Sequence, residues 1–400
     1  MKKYQNSLLS FIVIFVMILP GLLVLSLGLI ANTVEAGELE ENTNTSWIKG
    51  IILILISYIT NHFLGEIEDS SQEQKIPEET VISEQPDDHS AREVLGFYVN
   101  WQTENSTSLQ TLKNNHQQMD MIAPFWYTAN PDGNLVQRYG GPQPQAISFA
   151  AEKNIPVLPL INNNQTNNNI LMDPEIRTKT INNIVSLVTE NNYSGVNIDF
   201  EFIPPHTREG YTSFIKQLAE ELRPLNKKIT ISVFPKVNVP HDLHGAFDYA
   251  ELAPHIDRMV IMTYDHSWST GAPGPIAPQD WVEANILYTL EHVPQEKILL
   301  GVANYGYDWI KSGEGNDLGA ERAKELARKY NSEIIWDETT NSSYFIYSDQ
   351  GVEREVWFES SQSLEYKLEL VKEYNLQGIA IWRLGNATNR FWDIIEERLR

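Results

Sequence analysis

The sequence contains no cysteine. Disulfide bonds, thiolate metal sites and a cysteine nucleophile are therefore excluded, whichever compartment the protein occupies. Histidine is also sparse, at 9 residues, and neither His206 nor His241 lies at ligand spacing to the carboxylates of the motif described below. Metal sites need several ligands at suitable spacing, so we expect neither a metal ion nor another cofactor.

Positive charge is the second scarcity. The 400 residues carry 30 Lys and Arg against 53 Asp and Glu, which gives a formal net charge of −23. Because phosphate backbones are bound through basic patches, we do not expect nucleic acid as a partner. Residues 1–93 hold 5 basic and 14 acidic side chains, and residues 94–400 hold 25 and 39, so both parts are acidic.

Runs long and apolar enough to cross a membrane are confined to the N-terminal region. Lys2 and Lys3 precede residues 8–31, which form a run of 24 residues without a charge. As a helix this run would be about 36 Å long, enough to cross a ~30 Å hydrocarbon core. Residues 1–36 are therefore either a membrane anchor, which we favour because of the length, or a signal peptide cleaved near Ala36. In both cases we expect export: the protein is membrane-anchored and faces the cell envelope, or it is secreted after cleavage.

A shorter apolar run and an acidic stretch follow. Residues 37–65 contain an apolar run at 50–59 that suits an interfacial segment, with a second membrane span as the alternative. Residues 66–93 hold 10 acidic and 2 basic residues, together with Ser, Gln and Pro. Such a composition buries too little apolar surface to fold, so it predicts a disordered acidic linker.

From residue 94 to residue 400, apolar runs alternate with amphipathic helical segments. The helical pattern is clearest at 211–222, where apolar residues recur with helical spacing. Eight such units predict an α/β fold, the (β/α)8 TIM barrel. The extra length lies between strands 7 and 8, where residues from about 310 to 362 indicate a small α+β insertion. The predicted strands are 94–101, 119–127, 155–161, 195–201, 228–234, 258–265, 298–305 and 378–384.

The fourth predicted strand ends in a polar face. Side chains alternate between the two faces of a strand, so Asn197, Asp199 and Glu201 lie on one face. In TIM barrels the catalytic groups lie at the C-terminal ends of the strands, which is where these residues stand. A pair of solvated loop charges is the plain alternative for an isolated Asp-x-Glu.

Aromatic side chains recur at the ends of the other predicted strands, which favours a saccharide site. Sugar rings need apolar faces for stacking, with carboxylates and hydroxyls around them. Core filling is the alternative for any single ring, but recurrence at one end of the barrel argues against it. The candidate residues are Tyr98, Trp126, Tyr264 with Asp265, Tyr305 and Trp382.

Cleavage of a glycosidic bond needs a proton donor for the leaving oxygen and a nucleophile for C1. Glu201 is the candidate acid, and its pKa would have to rise from about 4.3 toward neutrality through burial and the charge of Asp199. No second carboxylate is evident on the opposite side of the sugar, because Asp199 lies beside Glu201 on the same strand.

The stretch SGVNIDFE at 194–201 resembles the D-G-x-D-x-D-x-E signature of glycoside hydrolase family 18. More narrowly, it resembles the branch of bacterial spore-germination and cortex-lytic peptidoglycan hydrolases. The resemblance extends over residues 94–400 through the segments LGFYVNW, APFWYTANPDG, VIMTYDHSW, LLGVANYGYDW, YFIYSDQGVEREVWFE and GIAIWRLG.

The resemblance implies a retaining reaction in which the 2-acetamido oxygen of the substrate attacks C1. Glu201 would act as acid and then as base, and Asp199 would hold the acetamido N–H. Tyr264 would donate a hydrogen bond to the acetamido carbonyl, with Asp265 nearby. Trp382 would form the floor under the distorted sugar.

Two positions depart from the family signature. Ser194 and Asn197 stand where the first two aspartates are expected. Asn197 cannot share a proton with Asp199 as a carboxylate could, although it can donate a hydrogen bond to it, so the pH optimum of the family need not apply. The Asn-rich run at 162–169 is expected to be a polar loop without an assigned role.

We expect an N-acetylglucosaminidase that cleaves β-1,4 bonds in peptidoglycan glycan strands. Chitin or chitooligosaccharides are the alternative substrate, because both polymers contain β-1,4-linked N-acetylglucosamine. A non-catalytic, lectin-like sugar-binding protein on the same barrel is the alternative of another class. Such proteins typically lack the acid at the position of Glu201.

Overall fold

The computed structural model describes residues 92–100, 107–138, 140–164, 168–310 and 314–400. The predicted segments at 1–36 and 37–65, and nearly all of the predicted linker at 66–93, lie outside these ranges. Among the described residues, no helix combines the length and the apolarity that a membrane span requires. The last two predicted linker residues belong to the folded body, because Glu93 begins the first strand and Arg92 donates to the Leu376 carbonyl at 2.9 Å.

Fourteen strands are present in the described ranges, and eight of them form a closed parallel barrel, which confirms the predicted fold class. The eight follow the order β1-β14-β8-β7-β6-β5-β4-β2, and β1 closes the ring by pairing with β2. The short β3 adds to β2 as an antiparallel hairpin. The strands are β1 (Glu93–Tyr98), β2 (Met121–Ala129), β3 (Leu135–Gln137), β4 (Leu160–Asn163), β5 (Gly195–Asp199), β6 (Lys228–Val233), β7 (Arg258–Ile261), β8 (Ile298–Ala303), β9 (Tyr305–Ile310), β10 (Gly315–Gly319), β11 (Ile335–Asp337), β12 (Ser342–Asp349), β13 (Val352–Phe358) and β14 (Gly378–Trp382).

The helices connect these strands and cover the barrel. The predicted helix at 211–222 is confirmed as α5, and its apolar residues are buried. The α-helices are α1 (Thr107–Asn114), α2 (Pro144–Glu152), α3 (Asn169–Met172), α4 (Pro174–Glu190), α5 (Arg208–Leu222), α6 (His241–His244), α7 (Tyr249–Leu252), α8 (Gln279–Leu290), α9 (Ala320–Lys329), α10 (Ser361–Glu373) and α11 (Asn389–Leu399). Short 3-10 turns occur at His116–Gln118, Pro205–Thr207, Arg223–Leu225, Ala253–His255 and Gln295–Lys297.

The barrel strands bury both of their faces in two separate apolar clusters. One cluster draws its buried members only from barrel strands and the residues that precede β4, and includes Leu95, Phe97 and Ala123, so it fills the interior of the barrel. The other cluster combines the opposite strand faces, including Tyr98 and Trp126, with residues of the surrounding helices. Strands buried on both faces are nearly continuous apolar runs, which is the pattern that the sequence shows.

The predicted α+β insertion is present between β8 and β14. It is an antiparallel sheet of five strands in the order β10-β9-β13-β12-β11, with α9 packed against it. The insertion begins at Tyr305, earlier than the predicted boundary near 310. The reason is that the chain leaves the parallel sheet at Asn304 and pairs at once with β13, so that Gly306 lies opposite Phe358.

Candidate active site

The polar face of β5 lies at the C-terminal mouth of the barrel, as predicted. Asn197 has an exposed fraction of 0% and Asp199 one of 6%. Glu201 follows the strand by two residues, is partly exposed and lines a cleft. The three side chains therefore rise from the packed interior toward solvent.

Asn197 supports the site from below. Its amide nitrogen donates to the hydroxyl of Thr230 at 2.9 Å, and its carbonyl oxygen accepts from the hydroxyl of Ser232 at 3.3 Å. The prediction that Asn197 binds substrate is wrong, because a fully buried amide cannot contact a ligand in the cleft. Both of these hydrogen bonds join Asn197 to β6, and neither joins it to Asp199.

The two carboxyl groups of the motif are protonated more readily than ordinary carboxyl groups. Burial raises the pKa of Asp199 well above its usual range, and the charge of Glu201 raises it further. The hydroxyl of Ser232, whose one proton is shared between Asn197 and Asp199, opposes this rise in pKa. Burial, followed by the charge of Asp265, raises the pKa of Glu201 to about 7. Glu201 is therefore able to carry a proton near neutral pH, which is the condition that an acid at this position has to meet.

Tyr264 and Asp265 reach the same mouth from the end of β7. Burial and then the carboxylates of Asp199, Glu201 and Asp265 raise the pKa of the Tyr264 phenol, which therefore keeps its proton. The ring of Tyr264 can approach β8 closely because Gly301 on that strand has no side chain. A Cβ atom there would lie 3.0 Å from the Tyr264 ring and 2.5 Å from the Ile261 carbonyl oxygen.

Asp265 is held in place by two tyrosines. The hydroxyl of Tyr305 donates to Oδ1 of Asp265 at 2.6 Å, and the hydroxyl of Tyr307 donates to the same oxygen at 3.0 Å. Asp265 has a backbone φ of +55°, in the left-handed region, so these bonds hold a conformation that L-residues rarely adopt. Tyr305 was predicted to contact substrate, but it is buried and its hydroxyl positions Asp265. Tyr307 was not predicted, because the change of strand direction that brings it there is not visible in the sequence.

Trp382, at the end of β14, lies at the same mouth. It packs with Tyr264 against the cluster that contains Tyr305. The ring of Phe97 meets it edge-on at 5.4 Å between centroids, and that of Phe125 does so at 6.4 Å. Trp382 is only partly buried, so part of its ring remains accessible.

The predictions for Tyr98 and Trp126 are wrong. Both side chains are fully buried on the strand face that packs against the helices, and the hydroxyl of Tyr98 donates to Gln143 there. Their neighbours Phe97 and Phe125 face the interior instead. In both β1 and β2 the residue that faces the barrel interior is therefore the one before the predicted residue. A shift of one residue along a strand moves a side chain to the opposite face.

Beside Glu201 and Tyr264 lies a cleft of about 480 Å³. Its lining is mostly apolar, and two of its aromatic rings are half-exposed: Phe202 at 50% and Trp268 at 51%. Among the described residues, no group of three or more His, Asp or Glu side chains is arranged to hold a metal ion. The site is therefore a carboxylic acid of raised pKa, with a second carboxyl group and a phenol close by and an apolar cleft at its side.

Asn163 was missed by the sequence analysis. It is the last residue of β4, and its side chain makes two hydrogen bonds to the backbone of Glu201. The only signal in the sequence was the Asn-rich run at 162–169, which gives no indication of a partner about 40 residues away.

Comparison with known proteins agrees with this geometry. The sequence pattern of Glycosyl hydrolases family 18 matches residues 93–387. YdhD of Bacillus subtilis, which carries the name of a sporulation-specific glycosylase, is 34% identical over 277 residues, covering 66% of this chain and 65% of YdhD. The match thus spans just under two thirds of the length of that relative.

Two solved structures have the same fold. The spore cortex-lytic enzyme SleL of Bacillus megaterium QM B1551 is 26% identical, with a TM-score of 0.71 over 78% of this chain and 75% of SleL. A chitinase of Chromobacterium violaceum ATCC 12472 is 28% identical, with a TM-score of 0.72 over 77% of this chain and 99% of the chitinase. The chain therefore belongs to glycosyl hydrolases family 18, on the branch that includes YdhD and SleL.

Proposed function

We propose that this chain is a retaining, substrate-assisted glycosidase that cleaves β-1,4 bonds next to N-acetylglucosamine in peptidoglycan glycan strands. The observation that carries the proposal is the grouping of Glu201, with a pKa of about 7, with Asp199 and Tyr264 at one barrel mouth. The names of the relatives YdhD and SleL support a glycan of the bacterial spore as the substrate.

The first step breaks the bond between C1 and the leaving oxygen. Protonated Glu201 gives its proton to that oxygen, while the acetamido oxygen of the substrate forms a bond to C1. The product is an oxazolinium ion, with its positive charge near Asp199. The phenol of Tyr264 can donate to the acetamido oxygen and orient it for attack, since its raised pKa keeps it protonated.

The second step restores the sugar. Glu201, now a carboxylate, accepts a proton from water as the water oxygen bonds to C1. The bond between C1 and the acetamido oxygen breaks, which regenerates the N-acetyl group with retained configuration. No second enzyme carboxylate is needed as a nucleophile, and this fits the site, because Asp199 is only two residues from Glu201 in the chain and Asp265 is engaged by two tyrosines.

The apolar cleft beside Glu201 supports a polymeric substrate. Sugar rings present apolar faces that stack on aromatic side chains, and Phe202 and Trp268 offer half-exposed rings at this cleft. A chain of several sugars can therefore extend from the cleavage point over these rings. Export and attachment to the cell envelope, inferred from residues 1–65, remain part of the proposal.

Digestion of purified peptidoglycan tests the substrate. We expect new reducing ends that are N-acetylglucosamine, detected by borohydride reduction and mass spectrometry, and no release by Glu201→Gln. New ends that are muramic acid would refute the proposed bond. Rapid cleavage of chitooligosaccharides with intact peptidoglycan would favour the alternative substrate, and tight binding without cleavage of either would favour the lectin-like alternative.

The pH dependence of the reaction tests the role of Asp265. Because the acid must carry its proton, kcat/KM should fall as the pH rises through about 7, the pKa of Glu201. The charge of Asp265 contributes to that raised pKa, so Asp265→Asn should move the decline to lower pH. Tyr307→Phe is the milder control: it removes a hydrogen bond that favours the Asp265 carboxylate, so the shift should have the same sign and be smaller. A decline that stays in place in Asp265→Asn would contradict this assignment.

A further inference from the structure

The last residue of β4, Asn163, contacts the backbone of Glu201. Strands β4 and β5 pair in parallel register from Leu160 opposite Asn197 to Asn162 opposite Asp199. At that point β5 ends, and the backbone of Glu201 lies beyond the regular ladder. A chain that leaves a sheet loses the backbone partners that fix its position, so other groups must supply them.

Asn163 supplies both partners with one side chain. Its Oδ1 accepts the backbone N–H of Glu201 at 2.8 Å, and its Nδ2 donates to the backbone carbonyl of Glu201 at 2.9 Å. Asn163 itself is 6% exposed, so these bonds are shielded from competing water. A carboxamide carries its donor and its acceptor on two separate atoms, so both bonds can form at once, which a carboxylate or an aliphatic side chain does not allow.

The backbone next to Glu201 makes such a clamp necessary. Phe202 has a left-handed φ of +52°, and Pro204 and Pro205 follow, so the chain turns sharply directly after the acid. Left-handed backbone in a non-glycine residue persists only where its surroundings hold it. Rotation about the Glu201 backbone would swing its carboxyl group away from Asp199 and Tyr264, and displacement of a reacting group by about 1 Å can lower a rate by about 10²-fold.

We propose that Asn163 is a positioning residue that fixes the peptide groups of Glu201 and thereby aims its carboxyl group at the glycosidic oxygen. The inference rests on the proposed function for the identity of the acid. The positioning itself rests only on the two hydrogen bonds and the turn, and it can be measured without turnover.

Asn304 provides a matched control. It stands directly after β8 and makes the same double clamp on Arg383: the Arg383 N–H donates to its Oδ1 at 3.2 Å, and its Nδ2 donates to the Arg383 carbonyl at 2.7 Å. Asn163→Ala and Asn304→Ala therefore remove equivalent bonds from buried sites of the same barrel mouth. Only the first removes bonds to the peptide groups of the acid.

The test compares Asn163→Ala, Asn163→Asp and Asn304→Ala. We expect Asn163→Ala to lower kcat on N-acetylated glycan by about 10- to 10²-fold, with KM changed much less. Its pH decline should also move below that of the wild type, because water entering beside Glu201 reduces the burial that raises its pKa. Asn163→Asp keeps an acceptor for the N–H but loses the donor, so its kcat should lie between those of the wild type and Asn163→Ala. The Asn304→Ala control should leave the pH decline in place.

A second readout separates this inference from the proposed function. The Glu201 carboxyl group can be titrated by NMR in protein with ¹³C-labelled glutamate, and Glu201→Gln identifies its signal. A pKa near 7 in the wild type and a lower one in Asn163→Ala would support the clamp even if no tested glycan is cleaved. Equal titration curves in the two proteins, or a kcat for Asn163→Ala equal to that of the wild type, would overturn it.

Discussion

Glu201→Gln should lower kcat by at least about 10²–10⁴-fold and leave the Kd for a glycan within a few-fold of the wild type. Glutamine has the shape of glutamic acid but no acidic proton, so the leaving oxygen would depart without protonation. The clamp from Asn163 acts on the backbone of residue 201 and is unaffected by the change. Single-turnover rates and isothermal titration on the same oligosaccharide separate the two effects. Turnover within tenfold of the wild type would show that another group is the acid.

The same variant should be more stable than the wild type above neutral pH. The pKa of Glu201 is raised from 4.5 to about 7 in the folded protein, so the folded state holds this proton more tightly than the unfolded state. The stabilisation from that proton is complete below about pH 4.5 and is lost as the pH rises through about 7. Glutamine avoids burial of the charge. The melting temperature of Glu201→Gln should therefore exceed that of the wild type at pH 8, and the difference between the two should narrow at pH 4.5. A higher melting temperature would also exclude unfolding as the cause of the lost activity.

Asp199→Ala should lower kcat/KM on N-acetylated glycan by about 10²-fold or more, the loss typical when a group that stabilises transition-state charge is removed. The variant loses both the acceptor for the acetamido N–H and the negative charge beside the oxazolinium ion. Because Asp199 is almost completely buried, little water screens its charge when it is ionised. Steady-state kinetics of the purified variant measure the loss. Activity within a few-fold of the wild type would remove Asp199 from the mechanism.

Ser232→Ala should have a smaller effect on activity than Asp199→Ala. The Ser232 hydroxyl lowers the pKa of Asp199 against the effect of burial, so its removal should make the carboxylate harder to form. We expect kcat/KM to fall by about tenfold or less, with the largest loss at low pH. The reason is that Asp199 remains in place but is ionised over a narrower range of pH. Equal losses at all pH values would indicate that Ser232 only fills space beneath the site.

The barrel could be predicted because each of its strands and helices has a characteristic pattern of apolar residues within a short stretch of sequence. Each strand is a short apolar run, and α5 shows helical spacing from Tyr211 to Leu222. The polar face of β5 was also predictable, since alternation places Asn197 and Asp199 on one face, but the strand ends at Asp199, two residues before the predicted end at Glu201. These features depend on residues that are close together in the chain.

The errors arose where the partner is distant in sequence. Where a strand buries both faces, both alternating sets are apolar, so the sequence did not distinguish Phe97 from Tyr98 or Phe125 from Trp126. The bonds from Asn163 to Glu201 and from Tyr307 to Asp265 each join different strand ends. The first bond depends on the register between β4 and β5, and the second depends on the change of direction of the chain at Asn304. Neither feature can be read from the residues adjacent in sequence.

Participation of the substrate's acetamido group is most directly tested with two glycans that differ only in that group. One carries N-acetylglucosamine at the scissile bond, and the other carries glucosamine at the same position. We predict measurable hydrolysis of the first and, under identical conditions, none of the second above the rate of Glu201→Gln. Equal rates on the two glycans would contradict the account, because C1 would then be attacked by some other nucleophile.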